Sequence, residues 1–289
     1  MSTRYCGREF SPTELSKIRR LIAEQPGASR ALLSRMVCEQ LGWRRPGGRL
    51  KDMSCRVAML RMQDNGLIEL PAPQNGNGNG KPYRRRTPQA EPERSEVLVS
   101  AGDLVDLQLQ PVADHEKSLL WNEFIDRYHY LGFQPLRGDQ LRYFACAGGR
   151  TLALLGFGAA VWKTAPRDEF IGWTAEQRRR RIHLVTNNIR FLILPWIRSR
   201  NLASRILSMA TRRLADDWER RYGYRPIMVE TFVESRRFQG TCYKAANWIY
   251  LGETKGRGRL EFEHKARIPR KAIFVHPLTR NFRFQLCRT

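Results

Sequence analysis

Apolar residues recur at three- and four-residue steps through the first seventy positions, then, beyond a polar gap, mostly in short strand-like runs between longer helical stretches. The pattern predicts a small helical unit followed by a larger mixed one. Ser11-Pro12-Thr13-Glu14 combines a capping serine, proline at the first helical position and glutamate three residues after the cap, so a first helix runs from there to about Gln25. Gly27 breaks it, Ser29 caps a second helix with Leu32, Leu33, Met36, Val37 and Leu41 on one face, and Gly42 ends that one. A Gly/Pro turn, Trp43 to Gly48, leads into a third helix from about Lys51 to Asp64, carrying Met53, Val57, Leu60 and Met62. Asn65-Gly66 and a short strand, Leu67 to Leu70, follow. Three helices, a turn and a strand predict a winged helix-turn-helix-like domain over residues 8–70.

Residues 71–97 change to Pro, Gly, Asn and charge, including Asn75-Gly76-Asn77-Gly78-Asn79-Gly80 and Arg84-Arg85-Arg86, and predict a flexible basic linker. The remainder, 98–289, alternates strand and helix. Strands are expected at Leu104 to Val112, Leu141 to Ala147, Thr151 to Trp162, near Ile189 to Leu194 and at Ile227 to Val233, with at least one more from Trp248. Helices are expected at about Glu116 to Tyr130, in the Arg-rich stretch after Trp162, at Leu202 to Tyr222 and around Gly240 to Ala246. The fold class is therefore α+β with a mixed sheet.

Charge narrows the partners. The 289 residues carry 51 Lys plus Arg against 28 Asp plus Glu, a formal net charge of +23, which favours a polyanion such as nucleic acid. Between Arg178 and Arg225 there are 13 Arg and no Lys, a choice suited to planar, bidentate contacts. Arg44, Arg45, Arg49, Lys51 and Arg56 crowd the entry to the third helix, and Lys255, Arg257 and Arg259 alternate with glycines that let a phosphodiester approach. Both groups are candidate nucleic-acid contacts. No apolar run is long enough to span a membrane, and the first ten residues lack a signal-peptide core, so a cytoplasmic location is expected. Six scattered cysteines, without a C-x-x-C pair, read as reduced thiols, and no metal site is assigned.

The order hairpin, strand, turn, long helix, strand, short helix, strand resembles the GCN5-related acetyltransferases over about residues 115–255. In that family the turn into the long helix follows R/Q-x-x-G-x-G/A and holds the coenzyme A pyrophosphate. Here it reads Arg198-Ser199-Arg200-Asn201-Leu202-Ala203, with Asn201 at the central glycine. The resemblance implies a donor site at Arg198, Arg200, Asn201, Leu202 and Ala203 for an acyl-coenzyme A or another phosphate-bearing donor. Tyr243, in Gly240-Thr241-Cys242-Tyr243-Lys244, falls where such enzymes carry a tyrosine that protonates the departing thiolate. Narrower still, Tyr128-His129-Tyr130, Phe232-Val233-Glu234, Gly240-Thr241 and Tyr243 through Gly252 are together similar to phage Mom proteins, which modify adenine in DNA. The whole chain, including Leu33 through Arg44, resembles the DruA family of the Druantia anti-phage system, which implies a defence or mobile-element context, with other defence proteins as partners.

Three functions remain open on these residues. One is a DNA-binding, base-modifying transferase using Tyr243, Glu234 and Tyr128. A second is a metal-dependent strand-cleaving or transposition-related enzyme, for which Asp126, Asp139, Glu230 and Glu234 would have to converge; Glu230 and Glu234 sit four apart on one predicted strand and so share a face. The third is a non-catalytic DNA sensor within a larger complex.

Overall fold

The N-terminal unit starts with a hairpin of β1 (Thr3–Tyr5) and β2 (Arg8–Phe10), followed by α1 (Pro12–Glu24), α2 (Arg30–Gln40) and α3 (Asp52–Asp64). In this computed structural model, which describes residues 2–74, 85–92, 96–136, 138–256 and 268–288, the chain divides into two units, 1–82 and 83–289. The start of α1 is a full capping box: the Glu14 N–H donates to Ser11 Oγ at 3.2 Å and the Ser11 N–H to Glu14 Oε2 at 2.9 Å. Ser29 caps α2 through the Leu32 N–H. Phe10, Ile18, Leu33, Val37, Cys55, Met59 and Met62 form the core.

Two expectations for this unit fail. Leu67 to Leu70 form no strand, because their backbone is held by side chains instead: Arg19 donates to the Leu67 carbonyl and the Leu70 N–H to Gln63 Oε1. The strand pair of this unit, β1 and β2, lies before the helices. Leu32, Met53 and Val57 also face outward, at 44%, 55% and 40% exposure, while Cys38, Cys55 and Ala58 are buried. Small side chains, which hydrophobic periodicity weighs lightly, set the phase of α2 and α3.

The C-terminal unit runs β3 (Gln108–Pro111), α4 (His115–Tyr128), β4 (Leu141–Ala147), β5 (Arg150–Ala159), α5 (Ala165–Ile171), α6 (Ala175–Arg181), β6 (Val185–Ile193), α7 (Leu202–Tyr222), β7 (Met228–Glu234), α8 (Thr241–Ala245), β8 (Ile249–Glu253), β9 (Lys271–Pro277) and α9 (Phe282–Leu286). One sheet holds all seven strands in the order β3-β4-β5-β6-β7-β9-β8. Every neighbouring pair is antiparallel except β6 and β7, which run parallel and are joined by the long helix α7. This is an α+β mixed sheet, with the hairpin β4/β5, then strand, long helix, strand, short helix and strand in the expected order. On α7, Ile206, Leu207, Ala210, Leu214 and Trp218 give the buried stripe of an amphipathic helix.

Part of the expected linker is packed into this unit. Glu123 of α4 is fully buried, and the Thr87 N–H and hydroxyl donate to its two carboxylate oxygens at 2.6 and 3.0 Å. Ala90 is fully buried beside it, and Val97 bridges to Ile197. A buried carboxylate needs donors, and residues 85–92 supply them. The Asn-Gly repeat and Arg84 lie outside the described residues.

Candidate functional site

The sheet opens where its one parallel pair comes apart. Only Val185, Thr186 and Asn187 of β6 pair with β7, opposite Met228, Val229 and Glu230. Beyond them the two strands part around a cleft of about 1300 Å³, bounded by β6, β7, α8 and the residues after α4. A β-bulge adds to the divergence. Gly156 of β5 pairs with Arg190 and Phe157 with Asn188, leaving Ile189 as the extra residue. A Cβ on Gly158 would lie 2.4 Å from Ile189 Cδ1, so glycine there makes room for the bulged side chain.

Asn188 pins the bulge. Its amide donates to the carbonyls of Gly156 and Arg190 at 3.2 and 3.1 Å, its own carbonyl accepts from the Thr231 hydroxyl at 3.0 Å, and its Oδ1 accepts from the Tyr243 hydroxyl at 2.8 Å. Tyr243 is buried, stacked on Phe274 at 5.7 Å and edge-on to Trp248. Burial pushes its phenol well above the ordinary tyrosine range, so it stays protonated and donates. Gly240, just before α8, has φ 68° and leaves space for the Phe274 ring, which a Cβ would approach to 2.6 Å.

The other expected groups separate into those at the cleft and those elsewhere. Glu234 ends β7 on the cleft wall, 3.3 Å from Arg237. Tyr128 also lines the cleft, but its hydroxyl donates to the Ala90 carbonyl at 2.6 Å and so braces residues 85–92. Glu230 does not line the cleft. It is fully buried, accepts from Arg167 at 2.9 Å and from the Val161 N–H at 2.8 Å, and closes the paired end of β6 and β7. Burial raises its carboxyl, with the Arg167 charge opposing. Nor do the four acids converge: Asp126 pairs with Arg86, Asp139 accepts from Tyr224, Glu230 holds Arg167 and Glu234 faces Arg237. No group of His, Cys, Asp or Glu able to hold a metal forms among the described residues.

At the start of α7, Asn201 adopts the left-handed conformation, φ 63° and ψ 3°, which explains how it stands in for glycine. The turn is partly committed. The Arg198 N–H donates to the Val97 carbonyl at 2.9 Å, the Leu202 N–H to Ser199 at 3.3 Å, and the Arg200 carbonyl accepts from Ala101 at 3.0 Å. The Arg198 guanidinium meets Glu96 at 3.4 Å. Of the five donor-site residues, Ala203 lines the cleft. First-turn N–H groups at Ala203 and Ser204, which have no intrahelical acceptor, suit a phosphate.

Residues that the sequence reading passed over complete the cleft. Asn187, Asn188 and Arg190 interrupt the otherwise apolar run Val185 to Leu194, and that interruption was the available signal. Arg190 is only 7% exposed and donates to the Ile189 carbonyl at 2.9 Å. His129 stacks on Tyr130 at 4.8 Å, and its Nδ1 accepts the Leu131 N–H, leaving the proton on Nε2. Burial, with the Arg190 charge, pushes His129 down to about 4, so the ring is neutral near pH 7. Tyr130 and Phe238, 40% and 48% exposed, meet at 5.4 Å at the cleft, with the Arg237 guanidinium over Tyr130. Lys255 lines the cleft; Arg257 and Arg259 lie outside the described residues.

In the N-terminal unit, Arg44 and Leu50 bridge a tight turn, and Arg44 and Arg49 are exposed on it. Arg45 and Arg56 are half-buried. Lys51 stands at the N-cap of α3 without a capping side-chain bond, a position where a cation opposes the helix dipole.

The profile of one protein family, described as Druantia protein DruA, matches residues 61–266. No curated protein matches the chain. Among solved structures, similarity is found to a Drosophila melanogaster polyamine N-acetyltransferase, at 14% identity over 60% of this chain and 100% of that one, with a TM-score of 0.37. An aminoglycoside acetyltransferase, AAC(6')-Ib with coenzyme A, is 14% identical over 64% of this chain and 100% of that one, with a TM-score of 0.38. A Bacillus subtilis acetyltransferase in complex with coenzyme A is 9% identical over 60% and 100%, with a TM-score of 0.35. Among the described residues, no helix is long and apolar enough to cross a membrane.

Proposed function

The chain belongs to the DruA family of the Druantia anti-phage system, and from that premise we propose that its C-terminal unit transfers a small group to a DNA base held in the β6/β7 cleft. The observation that carries this is the Tyr243–Asn188 hydrogen bond, which fixes a strand bulge on the floor of an open cleft. Past Asn187, β6 has no ladder partner on its β7 side among the described residues; side chains take the carbonyls of Asn188, Ile189 and Arg190, so an extended guest would meet the strand beyond Arg190. Glu234 is the carboxylate on the wall, placed to accept the proton that an amine sheds as it is acylated. Tyr243, kept protonated by burial, would donate a hydrogen bond to the departing thiolate by exchanging Asn188 for it, while the thiolate takes its proton from the carboxyl of Glu234 or from solvent. An acyl thioester, bound by the first turn of α7, would provide the group transferred.

For the N-terminal unit the proposal is duplex binding through the turn before α3. Cations at a helix N-terminus work against the helix dipole but reinforce it toward a phosphate. Affinity should fall steeply with salt, and neutralising Arg44 should reduce the salt slope by about 1. A slope that Arg44→Ala leaves unchanged would move the contact elsewhere.

One observation favours a second reading, a DNA sensor without catalysis: residues 97–101 occupy backbone groups of the turn that would otherwise face a donor. Mass spectrometry of nucleosides from the DNA of cells expressing the protein separates the two. Transfer predicts a new nucleoside mass with the parent and its loss in Tyr243→Phe; spectra identical to those of cells lacking the protein would leave the sensor.

A further inference from the structure

We propose that Arg190 receives the phosphate of the nucleotide whose base enters the cleft. This rests on the reading of the cleft as the site of a nucleic-acid acceptor, and it names how that acceptor is held.

Other buried arginines in this unit are compensated. Arg167 has Glu230 and Asp168, Arg127 has Glu123 and Glu91, and Arg142 donates to Asn122 and Ser118 while lying over Trp121. Arg190 is as deeply placed, yet among the described residues it meets one backbone carbonyl and no carboxylate. Its remaining guanidinium N–H groups have no acceptor among the described residues, and the residue lines the cleft. Burying a charge is costly unless something pairs with it, so the arrangement suits a pair completed by a ligand.

The surroundings select an oxyanion. His129 is neutral, with its proton on Nε2, and the Tyr130 hydroxyl has no hydrogen-bond partner among the described residues. The Arg190 charge reaches both. The Asn187 side chain, 9% exposed, also lines the cleft and has an unpartnered Oδ1. Glu234, the carboxylate on the same wall, is directed to Arg237. The Arg190 guanidinium, His129 Nε2–H and the Tyr130 hydroxyl are donors, which fit a phosphate better than a cation, whereas Asn187 Oδ1 is an acceptor and has no part in holding the anion.

The rim argues for a nucleotide over a free anion. Lys163, Lys255 and Lys271 line the cleft and suit a polyanionic strand, and the exposed rings of Tyr130 and Phe238 give a base something to stack on.

Calorimetric titration of the full-length protein with deoxyadenosine monophosphate and with deoxyadenosine tests this. The monophosphate should bind about ten-fold tighter, a difference of about 1.4 kcal/mol. Arg190→Met should abolish that preference and Arg190→Lys should keep part of it, each variant being checked by its thermal unfolding. Should Arg190→Met fail to fold, the lysine variant and the rise in parent melting temperature with monophosphate, absent with nucleoside, carry the test. Equal affinity for nucleotide and nucleoside in the parent, or a preference that survives in Arg190→Met, overturns the proposal. Inorganic phosphate should compete only at much higher concentration than the monophosphate; equal potency would overturn the nucleotide assignment. Because the titration needs no turnover, it can succeed where nucleoside mass spectra show no transfer, and fail where they do.

Discussion

The two ends of the β6/β7 pair use buried charge in opposite ways. At the paired end, Glu230 and Arg167 meet at 2.9 Å, both with fully buried side chains, and the Val161 N–H takes the second carboxylate oxygen. A few residues along, where the strands have parted, Arg190 is nearly as buried with one carbonyl for company. A buried ion pair that satisfies itself holds strands together; a buried cation left without an acid is poised for something that arrives from outside. The contrast also shows why acid spacing misleads. Glu230 and Glu234 share a strand face, but one lies where β6 covers it and the other where the cleft begins.

The contrast can be broken most severely at the closed end. Glu230→Leu takes from the buried Arg167 guanidinium one of its two carboxylates, Asp168 remaining, and should cost about 3 kcal/mol in urea unfolding. A loss below about 1 kcal/mol would mean that the closed end is no more reliant on its pair than the open end.

Next in size is a pH effect at the open end. His129 titrates at about 4 in the folded chain, against about 6.5 when unfolded. The unfolded state therefore binds more protons between those values, and stability present above about pH 6.5 is lost as pH falls toward 4. His129→Gln should flatten that decline by on the order of 2 kcal/mol. Since the Arg190 charge contributes to the shift, Arg190→Met should recover part of it. Parallel curves for parent and His129→Gln would show that this ring is not held neutral.

Tyr243→Phe removes one hydroxyl and leaves the ring packed on Phe274, so it should cost about 1 kcal/mol. A cost of several kcal/mol would make Tyr243 a structural strut like Glu230. Smallest of all is Asn201→Gly. The residue already sits at φ 63°, so glycine should change stability by a few tenths of a kcal/mol, whereas Asn201→Ala should lose about 1 kcal/mol. Equal effects of the two would contradict the left-handed turn.

How much of this was legible in the chain varies with the signal. Capping chemistry and long periodic runs were explicit: Ser11 with Glu14 began α1, and Leu202 to Tyr222 bounded α7. The β1/β2 hairpin gives no such signal, since three-residue runs carry little periodicity, and Leu67 to Leu70 have a strand-like composition although side chains hold their backbone. In the cleft, Tyr243 and Glu234 were found through a motif. Asn188 and Arg190 were not, because a polar residue inside a strand gives no hint of which edge will be left without a partner. Residues 85–92 looked like linker by composition, yet buried Glu123 draws them onto α4.

The distinction between the two ends is tested most directly by unfolding Arg190→Met and Arg167→Met side by side in denaturant at neutral pH. Replacing an unpaired buried cation with an apolar side chain should leave Arg190→Met as stable as the parent or up to about 1–2 kcal/mol more stable, while Arg167→Met, which strands Glu230, should lose about 3–5 kcal/mol. Equal losses in the two variants would contradict the account, because Arg190 would then be holding the fold together.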